Sequence, residues 1–304
     1  MYILLYKDNN RIKNSLRFFN NQIYVNISFM EREFQFYIVS TPIGNLNDIT
    51  LRAIDVLKNV DFILCEDTRN TIKLINHFDI NKPLIAYHKF NEAKASDSII
   101  NRIKSGQTAA LVSDAGSPLI SDPGNTIVKL LIENNIDFCV LPGANAVIPS
   151  LIMSGFDIED FYFAGFLPKK QSERVNRINE IFSKNTVSVL YVSPHELKSV
   201  LKLIDQTYPS RKLSLAKELT KIHETIYRGT ASEIELELPD TIKGEYTLTV
   251  CKNEQKASEN KRTDDEMRSL FSKYSESMSK KDALKKMSEE LKISKNELYD
   301  LLMK

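Results

Sequence analysis

Residues 109–124 read AALVSDAGSPLISDPG, and the fold is decided there. The opening run, 109–112, is apolar and too short for a helix, so it reads as a buried strand. It breaks at Ser113, Asp114, Ala115, Gly116, Ser117 and Pro118, and again at Ser121, Asp122, Pro123 and Gly124, before a helical pattern resumes. A chain that leaves a strand, makes a loop of small polar residues and enters a helix forms one unit of an open α/β sheet. Such sheets bind small molecules at the carboxyl ends of their strands. Small residues let a ligand approach the backbone, and Asp114 offers a carboxylate to ribose hydroxyls or an amine. Asp122 and Pro123 read instead as the N-cap and first residue of the next helix.

The same alternation extends outward. Strands are expected at 36–39, 62–64, 84–86 and 136–140. Helices are expected from residue 48, with Ile49, Ala53, Leu57 and Val60 on one face, then near 71–77, at 93–104 and at 125–133. This predicts a mainly parallel sheet covered on both faces. After Gly155 the pattern changes: an aromatic run at 161–166, a charged helix at 172–183, strands at 187–192, 213–216 and 246–250, and helices at 195–205 and 232–237. These form a second α/β domain. Residues 252–261 are polar and aperiodic, as in a linker.

The tail is helical. Thr263 with Glu266, Ser279 with Asp282, and Ser294 with Glu297 match capping boxes. Ala283, Leu284, Met287 and Leu291 make one apolar face, and Leu298, Leu301 and Leu302 another. With Lys292 and Ile293 as a tight join, the last two helices resemble a helix-turn-helix amid Lys280, Lys281, Lys285, Lys286 and Lys295. A solvated helical hairpin accounts for the same residues. The expected divisions are an N-terminal extension at 1–33, α/β domains at 34–147 and 148–252, a linker at 253–262 and the helical tail at 263–304. Residues 1–29, rich in Asn and followed by Met30, read either as an extension ahead of the natural start or as a weakly ordered basic arm that touches RNA.

A length of 304 residues suffices for two medium domains. The net charge of +1 excludes a global field that attracts nucleic acid, so any basic surface is local. Cys65, Cys139 and Cys251 are isolated, without zinc or redox spacing, and the four histidines form no metal motif. No metal is expected. No apolar run reaches the length of a membrane span, and a reducing, cytoplasmic compartment fits.

Three loops leave strand ends in the first domain: 41–46, 114–117 and 142–145. In a parallel sheet they point to one edge and can line one cleft. None is a phosphate-cradling glycine loop, since Gly44 stands alone, so nucleotide triphosphate and standard dinucleotide sites are excluded. The ligand that fits has an adenosine-like body and few phosphates. S-adenosylmethionine is one such molecule, though the pattern alone does not choose it. A fourth loop, Glu66-Asp67-Thr68-Arg69, is dense in charge. Its carboxylates suit a general base or a ribose contact, and Arg69 suits a phosphate. A helix cap with an internal ion pair explains the same residues. His88, Asn91 and Glu92 follow the next strand, with His88 a candidate acid or base. In the second domain, Lys217, Glu218, Thr220 and Lys221 follow one strand, and Tyr191, Ser193, His195 and Glu196 another.

Six ordered motifs, YIVSTPIGNL, CEDTRNT, ALVSDAGSPLISDPG, LPGANAV, AGFLPKK and ELTKIHET, together resemble the ribosomal RNA small subunit methyltransferase I family of the tetrapyrrole-methylase-like superfamily. The resemblance spans about residues 36–252. It implies two α/β domains of the tetrapyrrole methylase type with the cofactor in the interdomain cleft, and a C-terminal helix-turn-helix-like extension. The implied activity is transfer of a methyl group from S-adenosylmethionine to the ribose 2′-oxygen of a cytidine in the decoding region of 16S rRNA, by a homodimer.

Carried onto this chain, the cofactor residues are Pro42, Ile43, Gly44 and Leu46, then Asp114, Ala115, Gly116 and Ser117, then Pro142, Gly143, Asn145 and Ala146. Glu66, Asp67 and Lys217 are the catalytic candidates, and Arg69, Lys169 and Lys170 the RNA-phosphate candidates. Ser40 stands where relatives often have proline, Asn145 where small residues are frequent, and the run from Tyr191 to Pro194 departs from the usual Tyr-Glu-Ser type. Two other functions are compatible with the residues alone: carbon methylation of a tetrapyrrole, and non-enzymatic RNA binding through the C-terminal helices.

Overall fold

Short apolar runs that alternate with amphipathic helices cannot pair as hairpins, because each helix carries the chain back to its starting edge. They pair in parallel. The computed structural model describes residues 15–19, 22–26, 34–253, 264–291 and 295–303. Two strands, β1 (Ser15–Phe19) and β2 (Gln22–Asn26), pair antiparallel within the segment that the sequence reading set apart as an extension.

The first sheet follows. Its strands are β3 (Phe36–Val39), β4 (Phe62–Cys65), β5 (Leu84–Ala86), β6 (Ala109–Val112) and β7 (Phe138–Leu141), all parallel, in the order β5-β4-β6-β3-β7. Between them run α1 (Leu51–Asn59), α2 (Thr68–His77), α3 (Glu92–Lys104) and α4 (Asn125–Glu133). Every residue of β4 and β6 is buried, which is why both read as unbroken apolar runs. Right-handed crossovers send α1 and α2 to one face and α3 and α4 to the other, and α3 and α4 pack together. The connections that leave the neighbours β3 and β6 run in opposite directions, toward β4 and toward β7. Loops that leave the carboxyl ends of those two strands therefore stand at the switch point of the sheet, where such folds bind ligands.

Two helix starts differ from the sequence reading. The helix expected from residue 48 begins at Leu51; Thr50 caps it by accepting the Ala53 N–H, and residues Leu46–Asp48 form a separate 3-10 turn capped by Asn45. Asp122 and Pro123 do not cap α4. Leu119, Ser121 and Gly124 all adopt positive φ, so the chain stays coiled until Gly124, at φ 136°, and Asn125 is the first helical residue. No side chain caps α4, and Asp122 bonds instead with the Ser113 side chain.

The second sheet is mixed. It contains β8 (Phe161–Phe166), β9 (Val187–Val192), β10 (Leu213–Lys217), β11 (Thr225–Gly229) and β12 (Tyr246–Val250), in the order β11-β10-β12-β9-β8. Only β8 and β9 run parallel. The helices are α5 (Val147–Ser154), α6 (Gln171–Phe182), α7 (Leu197–Thr207) and α8 (Ala231–Glu237). Ile178, Phe182, Leu190, Leu201, Leu215 and Leu248 lie in its core. Among the described residues the tail forms three helices, α9 (Asp264–Ser275), α10 (Lys280–Leu291) and α11 (Lys295–Met303), around Met267, Met287, Leu298 and Leu302. Ser279 and Asp282 make the expected cap, the Ser279 hydroxyl accepting the Asp282 N–H at 3.2 Å. The Thr263 and Ser294 boxes and the Lys292-Ile293 join lie outside the described residues.

Contacts divide the chain into two compact units. The first comprises the residues up to Ser40, Thr50–Asp114 and Asp122–Pro142; the second comprises Thr41–Ile49, Ala115–Ser121 and the chain from Gly143 onward. The loops that leave β3, β6 and β7 thus belong to the second unit, although their strands belong to the first. No helix among the described residues is long and apolar enough to cross a membrane.

Candidate active site

The three strand-end loops meet one another within the second unit. Thr41 and Gly116 pair as a short antiparallel bridge, Thr41 N–H to Gly116 O at 2.9 Å and Gly116 N–H to Thr41 O at 3.0 Å. Gly116 has φ +82°, and a Cβ there would stand 3.4 Å from Ile43 Cγ2 and 3.7 Å from the Ala144 carbonyl oxygen. The positive φ favours glycine there, and the other two loops close around it to van der Waals distance. Pro42, Ile43 and Gly44 from the first loop, Ala115, Gly116 and Ser117 from the second, and Gly143, Asn145 and Ala146 from the third are all in this unit, while Asp114 and Pro142 are the last residues of their segments in the first. The Asn145 side chain is engaged locally, accepting the Ile148 N–H of the first turn of α5 at 2.9 Å.

The ELTK turn supports the first loop. Asn45 N–H donates to Thr220 Oγ1 at 3.1 Å, and a Cβ on Gly44 would fall 2.8 Å from that oxygen and 3.1 Å from the Leu219 carbonyl. Glu218 and Thr220 hold φ of 52° and 67°, and for a β-branched threonine this is a strained backbone. The strain is held by several bonds. Glu224 accepts the Thr220 N–H at 2.7 Å, and Glu218 accepts both the Glu245 N–H at 2.9 Å and the Lys221 ammonium at 2.8 Å. These bonds keep the Glu218 carboxyl below its ordinary range against the opposing effect of burial. Lys217 is the last residue of β10, opposite Tyr246 and Thr225.

The first unit gathers carboxylates at its sheet edge. Asp114 accepts the Asp67 N–H at 3.2 Å and the Asn70 side-chain amide at 2.8 Å, so the CEDTRNT motif fixes the acid that follows β6. Asp67 caps α2 by accepting the Arg69 N–H at 2.8 Å and forms a two-point pair with the Arg69 guanidinium, 2.6 Å at its shorter contact. Those bonds hold its pKa at about 2, which makes it a weak base. The cap-with-ion-pair reading of the loop thus describes Asp67 and Arg69, whereas Glu66 is left with a different character. Burial, reinforced by the nearby Asp114 charge, pushes the Glu66 carboxyl up, making it the stronger proton acceptor of the two.

Asp122 was not foreseen here. Burial and then the Glu66 charge push its pKa to about 6, while Lys89 and the Ser113 hydroxyl act in the opposite direction. The fold therefore favours the protonated acid. That contribution is complete below the ordinary value of 3.8 and is lost as pH rises through about 6. Asp122→Asn keeps the neutral shape at every pH. It is expected to raise unfolding free energy by about 1 kcal/mol at pH 8 and to leave it unchanged near pH 4. Urea unfolding at the two pH values checks this; equal effects at both would contradict it.

Lys169 and Lys170 are exposed in the loop between β8 and α6, and Lys170 pairs with Glu173 at 3.2 Å. The loop is stapled from inside by Arg174, a residue the sequence reading passed over. Its buried guanidinium donates to the Pro168 carbonyl at 3.0 Å and the Lys169 carbonyl at 3.3 Å, and pairs with Glu196. Ser193 in turn donates to Glu196 at 2.9 Å. The Ser193 and Glu196 pair singled out in sequence is therefore part of a loop anchor. Arg174→Lys retains charge but loses the planar fork. It is expected to lower stability by about 1–2 kcal/mol in urea titrations.

Comparison with known proteins adds the family. The tetrapyrrole (corrin/porphyrin) methylase family model matches residues 35–235. A protein of Mesomycoplasma conjunctivae named ribosomal RNA small subunit methyltransferase I is 45% identical over 222 residues, 72% of this chain and 92% of that protein. One of the same name from Bacillus subtilis (strain 168) is 39% identical over 274 residues, 87% of this chain and 92% of that protein. Among solved structures, a diphthine synthase aligns with a TM-score of 0.56 at 13% identity, over 71% of this chain and 89% of that one, a likeness of fold. The chain belongs to the tetrapyrrole methylase family, grouped with the proteins named ribosomal RNA small subunit methyltransferase I, and is a methyltransferase.

Proposed function

We propose that this chain transfers a methyl group from S-adenosylmethionine to the ribose 2′-oxygen of a cytidine in 16S rRNA. The observation that carries the reading is the meeting of three loops around Gly116 in a chain of this family. Residues 41–46, 114–117 and 142–146 contain no lysine, arginine or histidine and no phosphate cradle. That chemistry suits a ligand with a cationic sulfonium, an adenosine body and no phosphate. Backbone carbonyls and the Asp114 carboxylate tolerate the positive charge, and Ile43 and Leu46 offer apolar surface to the adenine. S-adenosylmethionine, when bound, supplies an activated methyl group.

The remaining work falls to the chain. A ribose hydroxyl is a weak nucleophile, so it must be aligned, shielded from water and relieved of its proton. Glu66 accepts the 2′ proton. Asp67, held by Arg69 and the start of α2, orients rather than ionises the acceptor, and Lys217, the last residue of β10, is the third catalytic candidate. Arg69, Lys169 and Lys170 contact RNA phosphates. The protein acts as a homodimer in the cytoplasm, where its substrate is, and the small ribosomal subunit or its rRNA is its partner.

The test offers labelled S-adenosylmethionine and three acceptors: small subunits lacking the modification, naked 16S rRNA and an acidic tetrapyrrole macrocycle. Label is expected in RNA alone. Label in the macrocycle would contradict the proposal.

A further inference from the structure

We infer that Phe90 is a stacking platform for a nucleobase of single-stranded RNA, presented on a rigid turn beside Glu66; this rests on the RNA reading above. The turn His88-Lys89-Phe90-Asn91 follows β5 at the carboxyl edge of the parallel sheet. Its base is anchored: Tyr87 is fully buried and its hydroxyl lies 2.9 Å from Ser96 Oγ. Asn91 clamps the turn from both sides, accepting the His88 N–H at 2.8 Å and donating to the Ala86 carbonyl at 2.9 Å. The Asn91 N–H also donates to the His88 carbonyl at 2.9 Å. On this turn the Phe90 ring is 97% exposed.

Exposure of one apolar side chain is ordinary, and Leu51, Ile222 and Leu236 are nearly as bare. Phe90 differs in three respects. It is aromatic, and every base has a face that stacks on such a ring. Its turn is hydrogen-bonded shut, so the backbone beneath the ring is already ordered before binding. Its neighbours His88 and Lys89 both act electrostatically on Glu66, and Lys89 also on Asp122. Cys65 pairs with Ala86, so Glu66 and the Phe90 turn leave adjacent strands at the same edge of the sheet. Single-stranded RNA with splayed bases is the partner that matches an exposed aromatic ring, set edge-on to His88 at 6.1 Å, on a turn that carries Lys89.

The chain contains no tryptophan, so Phe90→Trp introduces a single indole reporter. Titration of the full-length variant with a cytidine-containing single-stranded oligoribonucleotide is expected to quench its emission saturably, while inorganic polyphosphate leaves it unchanged. On small subunits, Phe90→Ala is expected to reduce kcat/KM about tenfold, Phe90→Leu to be as poor, and Phe90→Tyr to stay close to wild type. Unquenched emission, rescue by leucine, or an unaffected alanine variant would overturn the inference. So would a loss seen on assembled subunits but absent on naked rRNA, which would make Phe90 a contact to ribosomal protein. If wild type transfers no methyl group to RNA, the functional reading falls, and the fluorescence titration still decides whether Phe90 stacks on bases.

Discussion

Glu66→Gln is expected to lower the methyl-transfer rate by about a hundred- to ten-thousandfold, the range that loss of a positioned general base produces, with cofactor affinity and melting temperature near wild type. Glutamine preserves the shape and removes a negative charge from a half-buried site that already contains Asp114 and is coupled to Asp122, so the fold gains rather than loses. What disappears is the proton acceptor. The pH profile follows from the same causes. Burial and the Asp114 charge raise the Glu66 pKa, so the ionised base is depleted as pH falls, and the acid limb of the rate lies above the ordinary glutamate range. The Glu66 charge also helps raise the Asp122 pKa, after burial. Asp67→Asn is the control. Because Asp67 is already held at a pKa of about 2 by Arg69, its replacement disturbs the start of α2 and leaves the acid limb in place. A Glu66→Gln enzyme with full turnover would remove Glu66 from the mechanism.

Gly44→Ala is expected to reduce kcat/KM about a hundredfold, through both cofactor affinity and rate. The added methyl would meet the Thr220 hydroxyl at 2.8 Å and the Leu219 carbonyl at 3.1 Å, and would collide with the Lys221 side chain. Lys221 cannot swing aside freely, because Glu218 at 2.8 Å and Glu245 at 2.9 Å hold its ammonium. Thr220 is fixed by Asn45 and Glu224. The first cofactor loop must therefore shift, and with it the Ile43 side chain that approaches Gly116. Isothermal titration with S-adenosylmethionine, alongside turnover and melting, separates this from unfolding. Unchanged affinity and turnover would mean that the Gly44 loop does not form the cofactor site.

The parallel sheet was legible because its strands are buried on both faces and so read as apolar runs, as at residues 109–112. The strand-end loops were legible for a related reason: small and polar residues interrupt the pattern where the sheet ends. Two elements left no such trace. Helix α5, VIPSLIMS, buries Ser150 and Ser154 and exposes Ile148 and Ile152, so it shows no amphipathic period, and Pro149 in its first turn looks like a breaker where it is in fact tolerated. Strand β11, TIYRG, lies at the sheet edge with half-exposed residues and no clear alternation.

At the site, sequence pointed to the adjacent acids Glu66 and Asp67 without separating them. The separation depends on the burial of Glu66, on the Asp114 charge that acts on it and on the Arg69 guanidinium that holds Asp67, and the first two are matters of tertiary placement. Asp122 looked like a cap because Asp-Pro before a helix usually is one; three positive-φ residues overrule that local preference. Arg174 gave no signal, since a lone arginine in a charged helix is indistinguishable from its exposed neighbours until its partners at Pro168, Lys169 and Glu196 are known.

The most direct measurement is the identity and position of the methylated nucleoside. Small subunits lacking the modification would be incubated with the full-length protein and S-adenosylmethionine, and their 16S rRNA digested and mapped by mass spectrometry. The expected result is a single 2′-O-methylcytidine, absent from the Glu66→Gln reaction. A methyl group on a base, on another nucleotide's ribose or on no RNA at all, from protein that binds the cofactor, would contradict the central claim.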